Sequence, residues 1–183
     1  MNNLLTIIAM FFLMLHSGPV NASGTVADLP ADLREALLHD AVCTQAADSV
    51  GSAESGPASL LASQVNAQEI RGAKPGAVVG MIAAVSGGCH CHGPNCGTYI
   101  YLKSDSGYKL AFSGEFASLH PSRVYKSGYP SLSAKAQISE SQAESTVYDW
   151  NGRTYVPNLC ATITQSQGRK VPAIAHHPCP KAP

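Results

Sequence analysis

The chain has 183 residues, 12 acidic and 12 basic side chains, and 45% hydrophobic residues. That length suits one domain with a real core. A neutral chain whose lysines and arginines are scattered rather than bunched lacks the basic stripe that nucleic-acid binding needs, which excludes nucleic acid as a partner.

The first element is a leader. Leu4 to Leu15 is an apolar run of twelve residues, too short for a membrane span and the length of a signal-peptide core. Gly18 and Pro19 break it, and Val20-Asn21-Ala22 offers the small or apolar residues a signal peptidase reads, so residues 1–22 are expected to be removed after Ala22. The leader lacks Lys or Arg before its core, so an uncleaved anchor is the competing reading. No cysteine near the cut suggests a lipid anchor, and no later segment approaches membrane length. Export places the chain in the periplasm or outside the cell, where conditions are oxidising. Its six cysteines, Cys43, Cys89, Cys91, Cys96, Cys160 and Cys179, then read as disulfides.

Residues 23–56 read as a helical segment and linker. Asp28 to Ala47 predicts a helix, with Leu33, Ala36, Leu37, Ala41 and Thr44 at near-helical spacing, Asp28 or Asp32 as cap and Pro30 in the first turn. Ser49 to Ser59 is small, polar and loop-like. Residues 57–165 read as an antiparallel β-rich domain. Val65 and Ala67 alternate in a first strand, and Gly76 to Val85 is a continuous apolar run of strand length, as for a buried central strand. "GTYIYLK" and "YKLAFSG" flank the polar turn Ser104 to Gly107 and predict a hairpin. "TVYDW" and "RTYV" flank Asn151-Gly152, a two-residue turn signal that calls for φ > 0 at both positions. Between these hairpins one or two shorter strands are expected, broken by Pro121 and by Gly128-Tyr129-Pro130. Residues 166–183 read as an irregular, proline-rich tail, loose unless Cys179 ties it down. The expected fold is α+β, an N-terminal helix packed on a mainly antiparallel, disulfide-stapled β meander.

Charge is uneven along the chain. Residues 23–70 carry seven acids and one base, and residues 71–183 eleven bases and five acids. An acidic segment lying against its own basic β-module is the expected arrangement; a basic module facing an anionic partner is the alternative.

The densest chemistry is "CHCHGPNC", Cys89 to Cys96. Structural zinc takes two short cysteine pairs from separate loops, whereas Cys-x-Cys and Cys-x4-Cys here share one loop, even with His176, His177 and Cys179 to draw on. A redox dithiol takes Cys-x-x-Cys at a helix start, not Cys-x-Cys before a strand. The remaining reading is a stapled loop. Cys91 and Cys96 bracket His92-Gly93-Pro94-Asn95, a segment able to turn back on itself, and are the most favoured local pair among the 15 possible pairings. Such a staple presents His90, His92 and Asn95 as candidate binding residues at little entropic cost, or serves only to hold strands together. No metal site, cofactor or catalytic residue is assigned.

Together, "NAQEI", "GCHCHGPNCGTYIYL", "GYKLAF", "SGYPSL" and "ESTVYDWNGRTYVPNLC" resemble a family of small exported bacterial β-rich proteins without a settled activity. Its marks are a Cys/Gly-rich loop before an aromatic strand and an aromatic-Asn/Asp-Gly-x-x-Tyr hairpin, and the resemblance spans Val65 to Cys160. It implies an extracytoplasmic β-rich domain. Two departures stand out. Residues 71–76 carry no carboxylate where family members often have an acidic turn, so no calcium site carries over. Ser131 stands where the family's Pro-Asp-Leu has Asp.

Nucleophile elbow, zinc-protease helix and phosphate loop are absent from the sequence, and Ser106-Gly107-Tyr108-Lys109 matches Ser-x-x-Lys only inside a turn. The functional expectation is a non-enzymatic binding protein of the cell envelope, inhibitor-like or immunity-like, whose partner is an envelope protein or cell-wall component. The alternatives are an envelope hydrolase using His90, His92 or His120 as base, and a His/Cys metal-binding protein.

Overall fold

The computed structural model describes residues 21–41, 57–87, 90–165 and 171–180. The expected leader core, the second half of the expected first helix, and Cys43 and Cys89 lie outside the described residues.

Among the described residues eleven strands form two antiparallel sheets. Sheet 1 contains β1 (Asn21–Thr25), β2 (Gln64–Arg71), β3 (Val78–Ser86), β4 (Cys91–His92), β5 (Asn95–Ser104) and β6 (Gly107–Phe116). Its order is β1-β2-β3-β5-β4, with β6 also on β5. Sheet 2 contains β7 (Ser118–Lys126), β8 (Tyr129–Ser139), β9 (Gln142–Trp150), β10 (Tyr155–Thr164) and β11 (Ala173–His177), in the order β11-β10-β9-β8-β7. Among the described residues two short helices, α1 (Ala31–Asp40) and α2 (Pro57–Ala62), and a 3-10 turn (Val26–Asp28) accompany the sheets.

The expected α+β class is therefore corrected. Among the described residues strand makes up 65% and helix 13%, and only α1 has seven or more residues, so the described molecule is mostly β. The physical reason lies in residues 118–139, expected to give short broken strands. Pro121 has no N–H to donate, but β7 is an edge strand, where that loss is tolerated. Ser127 (φ 51°) and Gly128 (φ 87°) supply two consecutive left-handed residues, the requirement of a type I′ hairpin turn. Both segments thus extend into full strands, and they found a second sheet where one meander was expected.

Period-2 alternation in sheet 1 places one set of side chains on each face. Val65, Ala67, Ala83, Val85 and Tyr101 pack with Val26, Leu29, Leu33, Leu37 and Leu60 from the helical segments. Ile82, Ile100 and Leu102 pack with Leu119, Leu132, Ala134 and Tyr155 of sheet 2. The apolar run in β3 is explained by burial on both faces between β2 and β5. Asp28 does not cap α1: its carboxylate accepts hydrogen bonds from the Thr25 N–H and hydroxyl, both 2.8 Å, and closes the 3-10 turn. Those donors hold its carboxyl below the ordinary value.

Hairpin β5–β6 turns at Asp105-Ser106, with Ser104 opposite Gly107. Hairpin β9–β10 differs from expectation. Tyr155 pairs with Trp150, so the loop is Asn151–Thr154, and only Gly152 in it has positive φ. The Asn151 side-chain oxygen accepts from the N–H groups of Arg153 and Thr154, both 2.9 Å, which organises a four-residue loop in place of a tight turn. The tail is likewise not wholly irregular. Residues 173–177 pair with β10, and Cys179 bonds Cys160. The expected cut after Ala22 leaves Ser23, Gly24 and Thr25 paired to β2. Among the described residues no helix is long and apolar enough to cross a membrane.

Candidate functional site

Cys91 and Cys96 face each other across the β4–β5 hairpin and are joined by a disulfide. The turn between them is Gly93-Pro94. Gly93 has φ 61° and proline fixes its own φ near −65°, the combination a type II′ hairpin turn requires. His92, Gly93 and Pro94 are exposed at the tip.

The base of the tip is anchored twice. The Asn95 amide donates to the Gln137 carbonyl (2.8 Å) and accepts from the Gln137 N–H (2.7 Å). It thus extends the ladder of β8 with a side chain and ties the two sheets together. His92 Nδ1 lies 2.9 Å from the Glu115 carboxylate on β6, with the imidazole 75% exposed. His90 is only 8% exposed, and burial pushes its pKa down. The three candidate binding residues therefore separate: His92 is offered to solvent, Asn95 is engaged by β8, and His90 lies inside.

The other histidines do not gather here. His120 is exposed on β7 opposite Ser133. His176 and His177 sit on β11, where His177 Nε2 contacts Glu144 (2.9 Å) and Nδ1 contacts the Pro178 carbonyl (3.1 Å). These acceptors raise the His177 pKa. With Cys91, Cys96, Cys160 and Cys179 in disulfides, their sulfurs are not thiolate ligands. Among the described residues no group of three or more His, Cys, Asp or Glu side chains is placed to hold a metal ion.

Two cavities of about 200 Å³ lie between the sheets, and Phe116 lines both. One is bounded by Pro94, Cys96 and Thr98 beside the staple, the other by Tyr148, Cys160 and Pro180. Each is smaller than the roughly 300–1,000 Å³ of usual small-molecule sites.

Sequence reasoning missed one charged cluster. Asp149, 6% exposed, accepts from the Ser131 hydroxyl (2.5 Å) and pairs with Lys126 Nζ (2.5 Å). Ser131 is the partner of a carboxylate from the neighbouring strand, β9. The signal was a lone Asp in the aromatic strand "TVYDW". Ser131 is 2% exposed, so its hydroxyl serves as a hydrogen-bond donor out of a substrate's reach. Burial alone would raise the Asp149 pKa, but Lys126 and Ser131 outweigh it and hold the carboxyl below its ordinary value. A depressed folded pKa stabilises above the unfolded carboxyl pKa, and that stability is lost as pH falls through the folded value. Lys126→Met is expected to cost about 1–3 kcal/mol near neutrality, less than for a fully buried pair because the lysine is half exposed. Urea midpoints measured near neutrality and in acid check this: the gap between parent and variant should close in acid, and a gap unchanged with pH would refute the pairing.

No known family, curated protein or solved structure matches the chain.

Proposed function

We propose that this is a non-enzymatic binding protein of an oxidising, extracytoplasmic compartment, which presents the stapled hairpin to a protein partner of the cell envelope in the manner of an inhibitor or immunity protein. The observation that carries this reading is the combination of a covalently closed, exposed tip with a base held to both sheets. A tip ordered before binding loses little conformational entropy on contact, so its few exposed groups count for more. The two disulfides fit the oxidising setting that the leader implies. The motifs from Val65 to Cys160, with their resemblance to exported proteins, support the same location.

The test alters the tip and spares its anchor. In His92→Ala/Pro94→Ala, Asn95 and both cysteines remain. Captured partners from envelope extract are compared between parent and variant by quantitative mass spectrometry. At least a tenfold loss of one specific partner, with thermal unfolding unchanged, is the expected result. An identical set of captured proteins at equal yield would remove the hairpin from the binding surface.

A further inference from the structure

We propose that the end of the molecule opposite the stapled hairpin is a peripheral docking surface for an anionic lipid bilayer. Strand register places four connections there: residues 72–77 between β2 and β3, the Ser127-Gly128 turn, the Asn151–Thr154 loop, and the Asp105-Ser106 turn between β5 and β6. The first two touch, since the Ala73 N–H donates to the Gly128 carbonyl at 3.0 Å. The third is drawn alongside by the tilted packing of Tyr129 against Trp150, with ring centroids 4.9 Å apart.

These segments, with the end of β7, expose Lys74, Arg123, Lys126 and Arg153. Against these cations stand Asp105, exposed in the β5–β6 turn at the same end, and Asp149, which is buried and takes Lys126. The rim therefore carries four cations against two carboxylates, an excess of two positive charges, although the whole chain is neutral. Between the cations stand Val124, 62% exposed, and Tyr125, 42% exposed.

The β7 ladder shifts register between Pro121 and Tyr125, and the Ser122 hydroxyl accepts from the Val124 N–H (3.1 Å) to hold the bulge. As a result four consecutive residues, Arg123 to Lys126, face solvent where a regular strand would alternate. A bulge with lysine protects a sheet edge from pairing, but protection calls for charge, not for a bare valine and tyrosine at the crest. Cations flanking an exposed aliphatic and an aromatic side chain are the composition that seats in a charged headgroup layer with apolar groups at its boundary. A purely anionic polymer would leave Val124 without a partner. Moreover, β1 starts at Asn21 opposite Gln68 and ends at Thr25 opposite Gln64, so the chain enters the fold from this same end. A bilayer holding the expected leader during export would meet the rim first.

The test is vesicle sedimentation of the full chain as produced, its N-terminus read by mass spectrometry and kept the same in every variant. Vesicles of phosphatidylcholine with 30% phosphatidylglycerol are compared with phosphatidylcholine alone, at low and at about 0.5 M salt. The expected results are at least tenfold stronger partition onto the anionic vesicles and a tenfold loss in high salt. Lys74→Glu/Arg153→Glu should bind at least tenfold more weakly, and Val124→Ser/Tyr125→Ser about fivefold more weakly. All substituted residues are exposed, and unchanged thermal unfolding certifies each variant. Equal partition onto both vesicle types overturns the proposal. So does tight binding to dextran sulfate together with vesicle binding indifferent to the Val124/Tyr125 change, which would assign the rim to an anionic polymer.

Discussion

Replacing Gly80 with alanine is expected to lower the free energy of unfolding by about 3 kcal/mol, the upper end of what overpacking a core costs. Gly80 lies in β3 opposite Leu102 of β5. A Cβ built there would stand 2.2 Å from the Tyr101 carbonyl oxygen, 2.9 Å from Leu102 Cδ2 and 3.2 Å from Leu102 Cα. Two of these atoms are backbone, so no side-chain rotation relieves the clash and the β3–β5 pairing must open. That pairing carries Ile82 and Ile100 on the face towards sheet 2, and Ala83 and Tyr101 on the face towards the helices. One methyl group thus disturbs both halves of the core. Gly152→Ala is the natural comparison. Its φ of 101° strains an L residue, but a Cβ there meets nothing within 4 Å, so it should cost only about 1–2 kcal/mol. Urea unfolding of both variants, with amide exchange across β3 and β5, tests the contrast. Equal losses, or β3 and β5 amides as protected in Gly80→Ala as in the parent, would refute the close approach.

Gly80 also shows what was legible in the sequence. The apolar run around it gave the buried strand, because burial on both faces is written in composition. The β5–β6 hairpin and the Cys91–Cys96 pair were legible because both depend on residues within a few positions of each other. The second sheet was not, because Pro121 reads as a breaker until it is known to lie on an edge, and edge position follows from pairings across the whole fold. Asn95 and Asp149 fell to the same limit. Asn95 looked like a residue presented for binding, yet its partner Gln137 is 42 positions away. Asp149 finds its partners, Ser131 and Lys126, in the preceding hairpin, 18 and 23 positions back in the chain. Polar groups within a strand are most easily misread, since their partners are set by register.

The same register gives the molecule two unlike ends. Near the staple lie Glu115 and the β8–β9 turn with Glu140; at the other end Lys74, Arg123 and Arg153 outnumber the exposed Asp105 of the β5–β6 turn. Seated on an anionic surface through its basic rim, the sandwich would point Gly93 and Pro94 away from that surface. The two proposals then describe one orientation, in which the rim sets where the protein sits and the hairpin sets what it meets. They remain separable, because partner capture tests the hairpin without vesicles and vesicle binding tests the rim without a partner.

Removing the Cys160–Cys179 bridge should cost more than removing Cys91–Cys96, although the latter is the more conspicuous feature of the sequence. In the chain-entropy account the cost grows with the logarithm of the loop closed: about 3 kcal/mol for the separation of 19 residues and roughly 2 kcal/mol for the separation of 5. The larger loss should also be localised. All five residues of β11 are exposed, and besides its ladder to β10 the strand is held by the bridge and by the His177–Glu144 contact. So few buried contacts make it the first segment to open. In Cys160→Ala/Cys179→Ala the amides of β11 should lose protection while those of β2, β3 and β5 keep theirs. The variant should then reveal a pH dependence that the bridge conceals. His177 has a raised folded pKa, so its contribution is complete below the unfolded value near 6.5 and is lost as pH rises through the folded one. Protection of β11 in the bridge-free variant should accordingly fall with rising pH, and adding His177→Ala should flatten the curve. Exchange that is equally slow with and without the bridge would show that the ladder alone holds the strand; exchange that slows as pH rises, once corrected for intrinsic rates, would reverse the role assigned to His177.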